Sequence, residues 1–282
     1  MHQTLLERAA SSDGQRDFDF DRDGFTVLRK VFDAGQLAAL RDLLTRIVGY
    51  AELDLEDPFE RYYLGHRADQ GVLYDLYQRH PEFAEFARNQ RILDAVAEVL
   101  GEDVFLYENS VVYKPKGKKN GVPFHQDFLS RSNEPRKFIA WMAIDRVTAE
   151  GGALKIVPGS HKTGFLPWHD VKGETHHERI NEGAIDTSTA VHCTLEPGDV
   201  LIFNQLVVHG SDEAHTDSLR LVYRVSYQGF EEIFTPRGAP IAMRGALPEH
   251  MAARYPGPHP LSEKKNMLRR AINKVGRKLA AI

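Results

Sequence analysis

The spacing of hydrophobic residues changes about one third of the way along the chain. Up to residue 101, apolar side chains recur every three to four positions, which predicts amphipathic helices. We place helices from Asp33 onward, over residues 73–77 and over residues 81–100, with Asp33 as an N-cap and Gly101 as a stop signal. An apolar run at residues 24–28 precedes them and predicts a short strand.

Beyond residue 101 the apolar runs become short and are separated by turn-forming residues. Such runs predict β-strands, here at residues 104–114, 137–145, 153–157, 191–195, 199–208 and 219–229. Helices followed by many short strands are typical of a barrel or a two-sheet jelly roll with helices packed on one side. We therefore predict a mainly β fold with flanking helices around a jelly-roll, cupin-like core.

No internal repeat or low-complexity segment marks a boundary between independent domains, so we predict one domain over residues 1–282. Within it we expect residues 1–17 to be disordered and residues 18–101 to buttress the sheet. Residues 102–230 should form the jelly-roll core, and residues 231–282 a C-terminal extension. The chemistry is therefore expected in the β-rich core.

Three other segments are predicted to lie outside the core. Residues 52–80, which begin with an acidic loop at 52–60, and residues 163–190 are candidate lids or binding loops. The tail at 263–282 carries seven Lys/Arg and an apolar stripe, which predicts a basic amphipathic helix. We expect this helix to pack against the body or a partner subunit; an anionic membrane or an acidic carrier protein is the alternative.

The whole chain is weakly acidic, with a net charge of −4 and a pI of about 6.4, so it lacks the basic field of a nucleic-acid-binding protein. Its single cysteine, Cys193, excludes an intramolecular disulfide and fits a reducing cytoplasm. No stretch approaches about 18 continuous apolar residues, and the N-terminus lacks the pattern of a signal peptide. We expect a cytoplasmic monomer or homodimer.

The run at residues 122–128 carries a candidate metal site. Alternate side chains of a strand share a face, so His125 and Asp127 point the same way and Gln126 points the other way. One imidazole and one carboxylate are two of the three protein ligands of a non-haem Fe(II) site, which a second histidine completes. The run therefore predicts two ligands of an iron site, and the third must come from elsewhere in the chain.

A second His-x-Asp motif, His215 and Asp217, competes with this assignment. A motif this short occurs by chance, so its surroundings must decide. His125 lies in an apolar run that follows a strand and a turn, whereas His215 lies in a polar stretch typical of a hairpin loop. The context favours His125 and Asp127.

The second histidine is predicted to be His209, which ends the strand-like run at 200–208. If this run and the next strand pair as a hairpin through residues 211–218, Arg220 returns beside His209. The planar guanidinium of such an arginine can bind a carboxylate of a small dicarboxylate whose other end reaches the metal. Arg224 shares the predicted face of Arg220, where it either contacts substrate or is paired within the core.

These residues belong to an ordered set of motifs, and the chain resembles the phytanoyl-CoA dioxygenase family of Fe(II)/2-oxoglutarate-dependent oxygenases over about residues 20–230. The matching pieces are Gly24-Phe25-Thr26-Val27-Leu28, Lys114-Pro115, His125-Gln126-Asp127, Trp141, Gly151-Gly152-Ala153-Leu154-Lys155-Ile156-Val157-Pro158-Gly159-Ser160-His161-Lys162, Pro197-Gly198-Asp199, His209-Gly210-Ser211 and Arg220. The resemblance implies a double-stranded β-helix core with iron bound by His125, Asp127 and His209.

The resemblance also implies a site for 2-oxoglutarate. Arg220 and Ser211 would hold this co-substrate, and Trp141 and Tyr107 would line its pocket. Gln126, which lies between two ligands of the family motif, is assigned to the cofactor site with them. O2 is the second co-substrate.

Relatives that halogenate have a small residue in place of the carboxylate ligand, and this chain has Asp127. The resemblance therefore implies hydroxylation of an unactivated C–H bond, with release of succinate and CO2; desaturation, ring closure or epimerisation with the same cofactors is the alternative. The acidic chain favours a small or medium polar metabolite over an anionic CoA ester. A non-catalytic, cupin-like binding protein is the alternative of another class.

Overall fold

The structure is a computed structural model that describes residues 16–51, 72–114, 121–172, 178–215, 220–229, 241–247 and 249. Three predictions therefore lie outside the described residues: the disorder of most of segment 1–17, the acidic loop at 52–60 and the basic helix at 263–282. No described helix is both long and apolar enough to cross a membrane.

The described helices and strands follow the predicted order, with helices concentrated before residue 101. The α-helices are α1 (Phe20–Asp23), α2 (Ala34–Ala51), α3 (Leu76–Arg79), α4 (Phe83–Ala87) and α5 (Gln90–Leu100), and 3-10 helices lie at Leu129–Arg131 and Ser160–Thr163. The strands are β1 (Arg16–Asp17), β2 (Phe25–Leu28), β3 (Val72–Tyr74), β4 (Val104–Lys114), β5 (Val122–His125), β6 (Lys137–Ala143), β7 (Leu154–Ile156), β8 (Trp168–Asp170), β9 (Glu178–Ile180), β10 (Val191–Cys193), β11 (Val200–Asn204), β12 (His209–Ser211), β13 (Arg220–Gln228) and β14 (Ala242–Arg244).

Two antiparallel sheets face each other across a buried layer. The larger sheet has the order β1-β2-β11-β6-β13-β4-β14, with β3 also paired to β4, and the smaller has the order β10-β7-β12-β5. Apolar side chains from both sheets meet between them, among them Trp141 and Val222 from the larger sheet and Ile156 and Cys193 from the smaller. This two-sheet jelly roll confirms the predicted fold class.

The helices cover the outer face of the larger sheet. Leu44 of α2 and Val96 of α5 share one core cluster with Val111 of β4 and Tyr223 of β13. Because side chains alternate along a strand, β13 gives Tyr223 to this outer cluster and Val222 to the layer between the sheets. Arg220 and Arg224 share the face of Val222 and therefore point between the sheets, as predicted.

Asp33 caps α2 as the sequence predicts. Its Oδ1 accepts hydrogen bonds from the backbone N–H groups of Gly35 (2.8 Å) and Gln36 (2.9 Å), and the Gln36 side chain accepts one from the Asp33 backbone N–H (3.0 Å). These reciprocal bonds satisfy donors that the first turn of a helix leaves unpaired.

Three local predictions are wrong. Residues 73–77 are predicted to be helical, but Val72–Tyr74 form a strand on the edge of β4, because a short apolar run fits a strand as well as a helix. The helix at 81–100 is interrupted where Asn89 accepts a hydrogen bond from the Arg91 backbone N–H (3.0 Å) and starts α5. Segment 163–190 contains the hairpin of β8 and β9 rather than loop alone.

Candidate metal centre and anion site

Strand β12 brings the distant histidine to the His-x-Asp run. It lies in the middle of the smaller sheet, between β7 and β5, and in the β5 register His209 stands opposite His125. Gly210 permits this close pairing, since a Cβ atom there would lie 2.7 Å from the carbonyl oxygen of Val122. The family-like sequence His209-Gly210-Ser211 is therefore a structural requirement for joining two segments far apart in the chain.

The side chains of His125, Asp127 and His209 converge on one point. One ligand-type atom from each lies within 4.8 Å of the others, and this is the one such group of three among the described residues. The two imidazole ring centres are 4.3 Å apart, and His125 Nε2 lies 3.9 Å from Asp127 Oδ1. Asp127 follows the end of β5 and is fixed by a hydrogen bond from its backbone N–H to Gln205 O (3.1 Å).

Hydrogen bonds from the ring nitrogens fix the orientation of both histidines. Nδ1 of His125 lies 2.9 Å from Pro123 O, and Nδ1 of His209 lies 2.9 Å from Val207 O. A carbonyl oxygen only accepts, so the Nδ1 atom of each ring carries the proton in these hydrogen bonds, and Nε2 is the nitrogen left to face the ligand cluster. Metal-binding histidines are oriented in this way, with one nitrogen tied to a carbonyl and the other directed at the ion.

The cluster is also in the correct charge state for binding a cation. Burial alone would raise the pKa of the Asp127 carboxyl, but the positive charge of Arg224, with smaller contributions from the two histidines, lowers this pKa to about 2. Burial, followed by the proximity of His125, lowers the pKa of His209 to about 4. At neutral pH the cluster therefore offers one carboxylate and an unprotonated His209 ring.

The sequence assigned Gln126 to the cofactor site, but its side chain is bonded to the protein on the side of the run away from the metal ligands. It is fully buried, and its Nε2 donates to Gly164 O (2.9 Å) and Leu206 O (2.6 Å) while its Oε1 accepts from the Leu166 backbone N–H (2.8 Å). The strand alternation that turns its neighbours inward turns this amide away. Gln126 thus anchors the loops behind the metal cluster.

A buried cation lies on the larger sheet, facing the smaller one. Arg220 is 5% exposed, donates from Nη1 to Gly152 O (2.6 Å), and its guanidinium carbon stacks 5.1 Å from the centre of the Trp141 ring. Burial lowers the pKa of Arg220 to about 10, so it remains charged at neutral pH. Its Nε is buried without a hydrogen-bond partner in the described part of the chain.

A second buried cation, Lys114, lies opposite Arg220 in the β4–β13 register. Its Nζ donates to Ser211 Oγ (3.2 Å) and Asp212 O (3.0 Å), and any side chain at Gly152 would collide with it. Burial, with the adjacent charge of Arg220, lowers the pKa of Lys114 to about 8. Sequence reasoning used this lysine only as part of a family motif; the alternation along β4, which puts it on the inward face, was the signal that could have found it.

The predicted hairpin between His209 and Arg220 is wrong. β12 pairs with β5 and β7, whereas β13 pairs with β4 and β6 in the other sheet. The layer between the two sheets, and not a shared ladder of hydrogen bonds, brings the metal cluster and the anion site together. Trp141 lies beside Arg220, and Ser211 lies beside Lys114.

Tyr107 is not brought to Arg220. Its hydroxyl bonds to Glu134 and accepts from Arg131 Nη1 (2.9 Å), and its ring packs edge-on against Phe128 at 5.0 Å. Tyr107 lies seven residues before Lys114 on β4, a separation of roughly 23 Å along a strand. It belongs to the Asp127 side of the molecule and does not line the pocket around Arg220.

The comparisons with known proteins agree with this geometry. The family profile described as Phytanoyl-CoA dioxygenase (PhyH) matches residues 20–222. The chain belongs to this family. It is a family of iron- and 2-oxoglutarate-dependent oxygenases, and the ordered motifs that carry the resemblance lie in the matched region, together with the metal cluster and the anion site.

Individual relatives support the same family. A probable phytanoyl-CoA dioxygenase of Caenorhabditis elegans is 30% identical over 158 residues, 52% of this chain and about half (51%) of that protein. An ectoine dioxygenase of Sphingopyxis alaskensis is 26% identical over 252 residues, 80% of this chain and 81% of that protein. The crystal structure of the epimerase SnoN in complex with Fe3+, alpha ketoglutarate and nogalamycin RO has a TM-score of 0.59 at 22% identity, covering 77% of this chain and 83% of that one, and shows the same fold.

The donor set fits Fe(II). Two neutral imidazole nitrogens and one carboxylate oxygen on one face form the facial arrangement that non-haem iron oxygenases use, with the remaining positions left for small ligands. His125, Asp127 and His209 are the residues that would hold the ion.

Proposed function

We propose that the protein is an Fe(II)- and 2-oxoglutarate-dependent oxygenase that hydroxylates a small or medium polar metabolite. The observation that carries the proposal is the pairing of a three-residue ligand cluster with a buried cationic site on the facing sheet. Neither half alone specifies this chemistry. Together they match a co-substrate with a metal-chelating 2-oxo acid at one end and a carboxylate at the other.

Each half of the site has a defined task. Arg220 and Lys114 would bind the distal carboxylate of 2-oxoglutarate, with Ser211 holding the Lys114 ammonium in place and Trp141 shielding the guanidinium from water. Such charge-assisted hydrogen bonds are strongest where water is excluded. When bound, iron would supply the activation of O2 that is coupled to decarboxylation of 2-oxoglutarate to succinate and CO2.

The surroundings of Asp127 favour a polar substrate. The described residues on this side include buried or half-buried ionic groups, namely Glu108, Glu134 and Lys137, the last fully buried and 3.2 Å from Glu134. A long hydrocarbon chain would gain little from a wall of this composition, because paired ionic groups offer it little apolar surface to bury. The similarity to an epimerase keeps epimerisation, with desaturation and ring closure, as the alternative outcome of the same oxidative chemistry.

The test is anaerobic addition of Fe(II) to the metal-free protein, followed by 2-oxoglutarate. A visible metal-to-ligand charge-transfer band is expected, and its absence from iron-loaded protein would favour a non-catalytic, cupin-like binding protein. A metabolite screen that measures succinate formation in air would then identify the substrate class, and product analysis would separate hydroxylation from the other outcomes.

A further inference from the structure

Arg224 is bonded to two carboxylates at once. Its Nη2 lies 2.9 Å from Asp127 Oδ2 and its Nη1 lies 3.0 Å from Glu108 Oε1. The three side chains are 13%, 15% and 7% exposed in the order Arg224, Asp127, Glu108. The two carboxylates use different ends of the guanidinium fork, so the orientation of the group is fixed from both sides.

The strand register explains why this arginine reaches Asp127. Arg224 stands opposite Ser110 on β4 and Trp141 on β6, and the small side chain of Ser110 leaves room beside it. Glu108 lies on the same face of β4, two residues before Ser110. The ring of Phe128, whose centre is 5.6 Å from the guanidinium carbon, covers the remaining side. Of the two roles that the sequence left open for Arg224, the structure shows the paired one.

The pairing divides the oxygens of Asp127 between two tasks. Oδ2 accepts from Arg224, while Oδ1 is the oxygen that lies near His125 Nε2. Both histidines are oriented by backbone carbonyls, and Arg224 gives the carboxylate the equivalent tether. In each of the three ligands, one nitrogen or oxygen atom faces the cluster and the other is hydrogen-bonded to the protein.

We infer that Arg224, held by Glu108, is a positioning residue that restricts Asp127 to binding iron through one oxygen. This inference rests on the proposed function. A carboxylate free to rotate can coordinate through both oxygens and thereby occupy a position that the co-substrate needs. The Arg224–Glu108 pair prevents this rotation, so it governs the affinity for the metal and the number of positions left open on it.

The experiment compares Fe(II) affinity, measured anaerobically by chelator competition, and the charge-transfer band with 2-oxoglutarate in full-length variants. Arg224→Met should weaken Fe(II) binding by about 10- to 100-fold, and at saturating metal should shift or weaken the band. Arg224→Lys should recover part of the affinity, because an ammonium can bond Asp127 but lacks the rigid planar fork that fixes Asp127 and Glu108 together. Arg224→Met removes the bonded counter-charge of the buried Glu108, so the double variant Arg224→Met/Glu108→Gln serves if the single variant does not fold.

Arg29→Met is the matched control, since Arg29 forms a comparable partly buried pair with Asp199 (2.7 Å) at the end of β2 and does not contact the metal cluster. It should lower the melting temperature and leave Fe(II) affinity unchanged. Wild-type Fe(II) affinity together with a wild-type band in a folded Arg224→Met or double variant would overturn the inference. If the wild-type protein itself gives no band, the proposed function fails, and the affinity comparison still tests Arg224.

Discussion

Arg220 and Arg224 lie on the same face of the same strand, yet their surroundings differ completely. Arg224 is bonded to two carboxylates, Glu108 and Asp127. Arg220 bonds to a backbone carbonyl, stacks on Trp141 and, among the described residues, has no carboxylate within ion-pair distance. The guanidinium of Arg224 is bonded to two carboxylates and is part of the scaffold, whereas the counter-charge that acts on Arg220, that of Asp145, is not bonded to it, so Arg220 is suited to an anion from outside.

The comparison extends to the neighbours of each arginine. Beside Arg220 the register adds a second cation, Lys114, whereas beside Arg224 it adds Ser110 and the nearby Glu108. Burying two cations together is costly unless an anion binds between them. The end of the site with Arg220 and Lys114 is therefore expected to govern affinity for the co-substrate. The end with Arg224 and Glu108 is expected to govern affinity for the metal.

The largest effect is expected from Asp127→Ala, which removes both the ligand oxygen and a counter-charge of Arg224. Loss of a direct ligand should exceed the 10- to 100-fold cost of losing an outer partner, so Fe(II) affinity should fall by more than about 100-fold. Succinate formation should be lost with it. Asp217→Ala, in the competing motif outside the described residues, is the control, and an essential Asp217 would reverse the choice of motif.

Arg220→Met should weaken the binding of 2-oxoglutarate without changing the binding of Fe(II). Removing one partner of a buried charge pair costs about 2–4 kcal/mol, which predicts a roughly 30- to 1,000-fold weaker affinity for 2-oxoglutarate. Fe(II) affinity should stay at the wild-type value, because Arg220 does not contact the three ligands. Titration of the charge-transfer band at fixed iron measures the first quantity and chelator competition the second. An equal loss of iron binding would contradict the assigned role.

Several features could be predicted from the sequence because a local pattern decides them. Alternation predicted the bounds of β4, Val104–Lys114, and the shared face of Arg220 and Arg224; the capping pattern predicted the start of α2. The proximity of His125 and Asp127 also follows from their spacing. These features depend on residues a few positions apart, so the backbone geometry of one element determines them.

What the sequence could not give is the pairing between distant segments. The expected hairpin failed because a turn after Asn204, whose side chain accepts from the Leu206 backbone N–H (3.0 Å), ends β11 and lets His209 start a strand in the other sheet. Tyr107 was misplaced because the strand pairing sets Arg220 opposite Lys114, seven residues further along β4. Arg224, Glu108 and Asp127 come from three separate segments, which no local pattern connects.

Lys114→Met tests whether the Arg220 end has two working cations. Losing one charge-assisted hydrogen bond costs about 1.5 kcal/mol, so affinity for 2-oxoglutarate should fall about tenfold. Burial and the charge of Arg220 lower the pKa of Lys114 to about 8, although the charges of Asp212 and Glu213 act in the opposite direction. Wild-type affinity for 2-oxoglutarate should therefore decline as the pH rises through 8, because the ammonium loses its proton. The pKa of Arg220 is about 10, so this arginine stays charged over that range.

The same pH series contains its own control. In Lys114→Met the decline in affinity between about pH 7 and 9 should disappear. Lys155→Met should keep this decline, because Lys155 on β7 bonds the side chain of Asp212. A decline of equal size in Lys114→Met would assign the titration to another group and leave Arg220 as the only cation that matters at this end.

Gln126→Leu should leave both ends of the site intact and change only stability. The substitution leaves two backbone carbonyls and one N–H, those of Gly164, Leu206 and Leu166, without their side-chain partner. Unsatisfied buried groups cost about 1–3 kcal/mol, which corresponds to a melting temperature lower by roughly 2–5 °C for a chain of this length. Gln90→Leu, at an exposed glutamine on α5, should change stability by less than about 0.5 kcal/mol. Weaker 2-oxoglutarate binding by a Gln126→Leu protein of wild-type stability would return Gln126 to the cofactor site, because only direct contact could lower affinity without loosening the loops that this amide holds together.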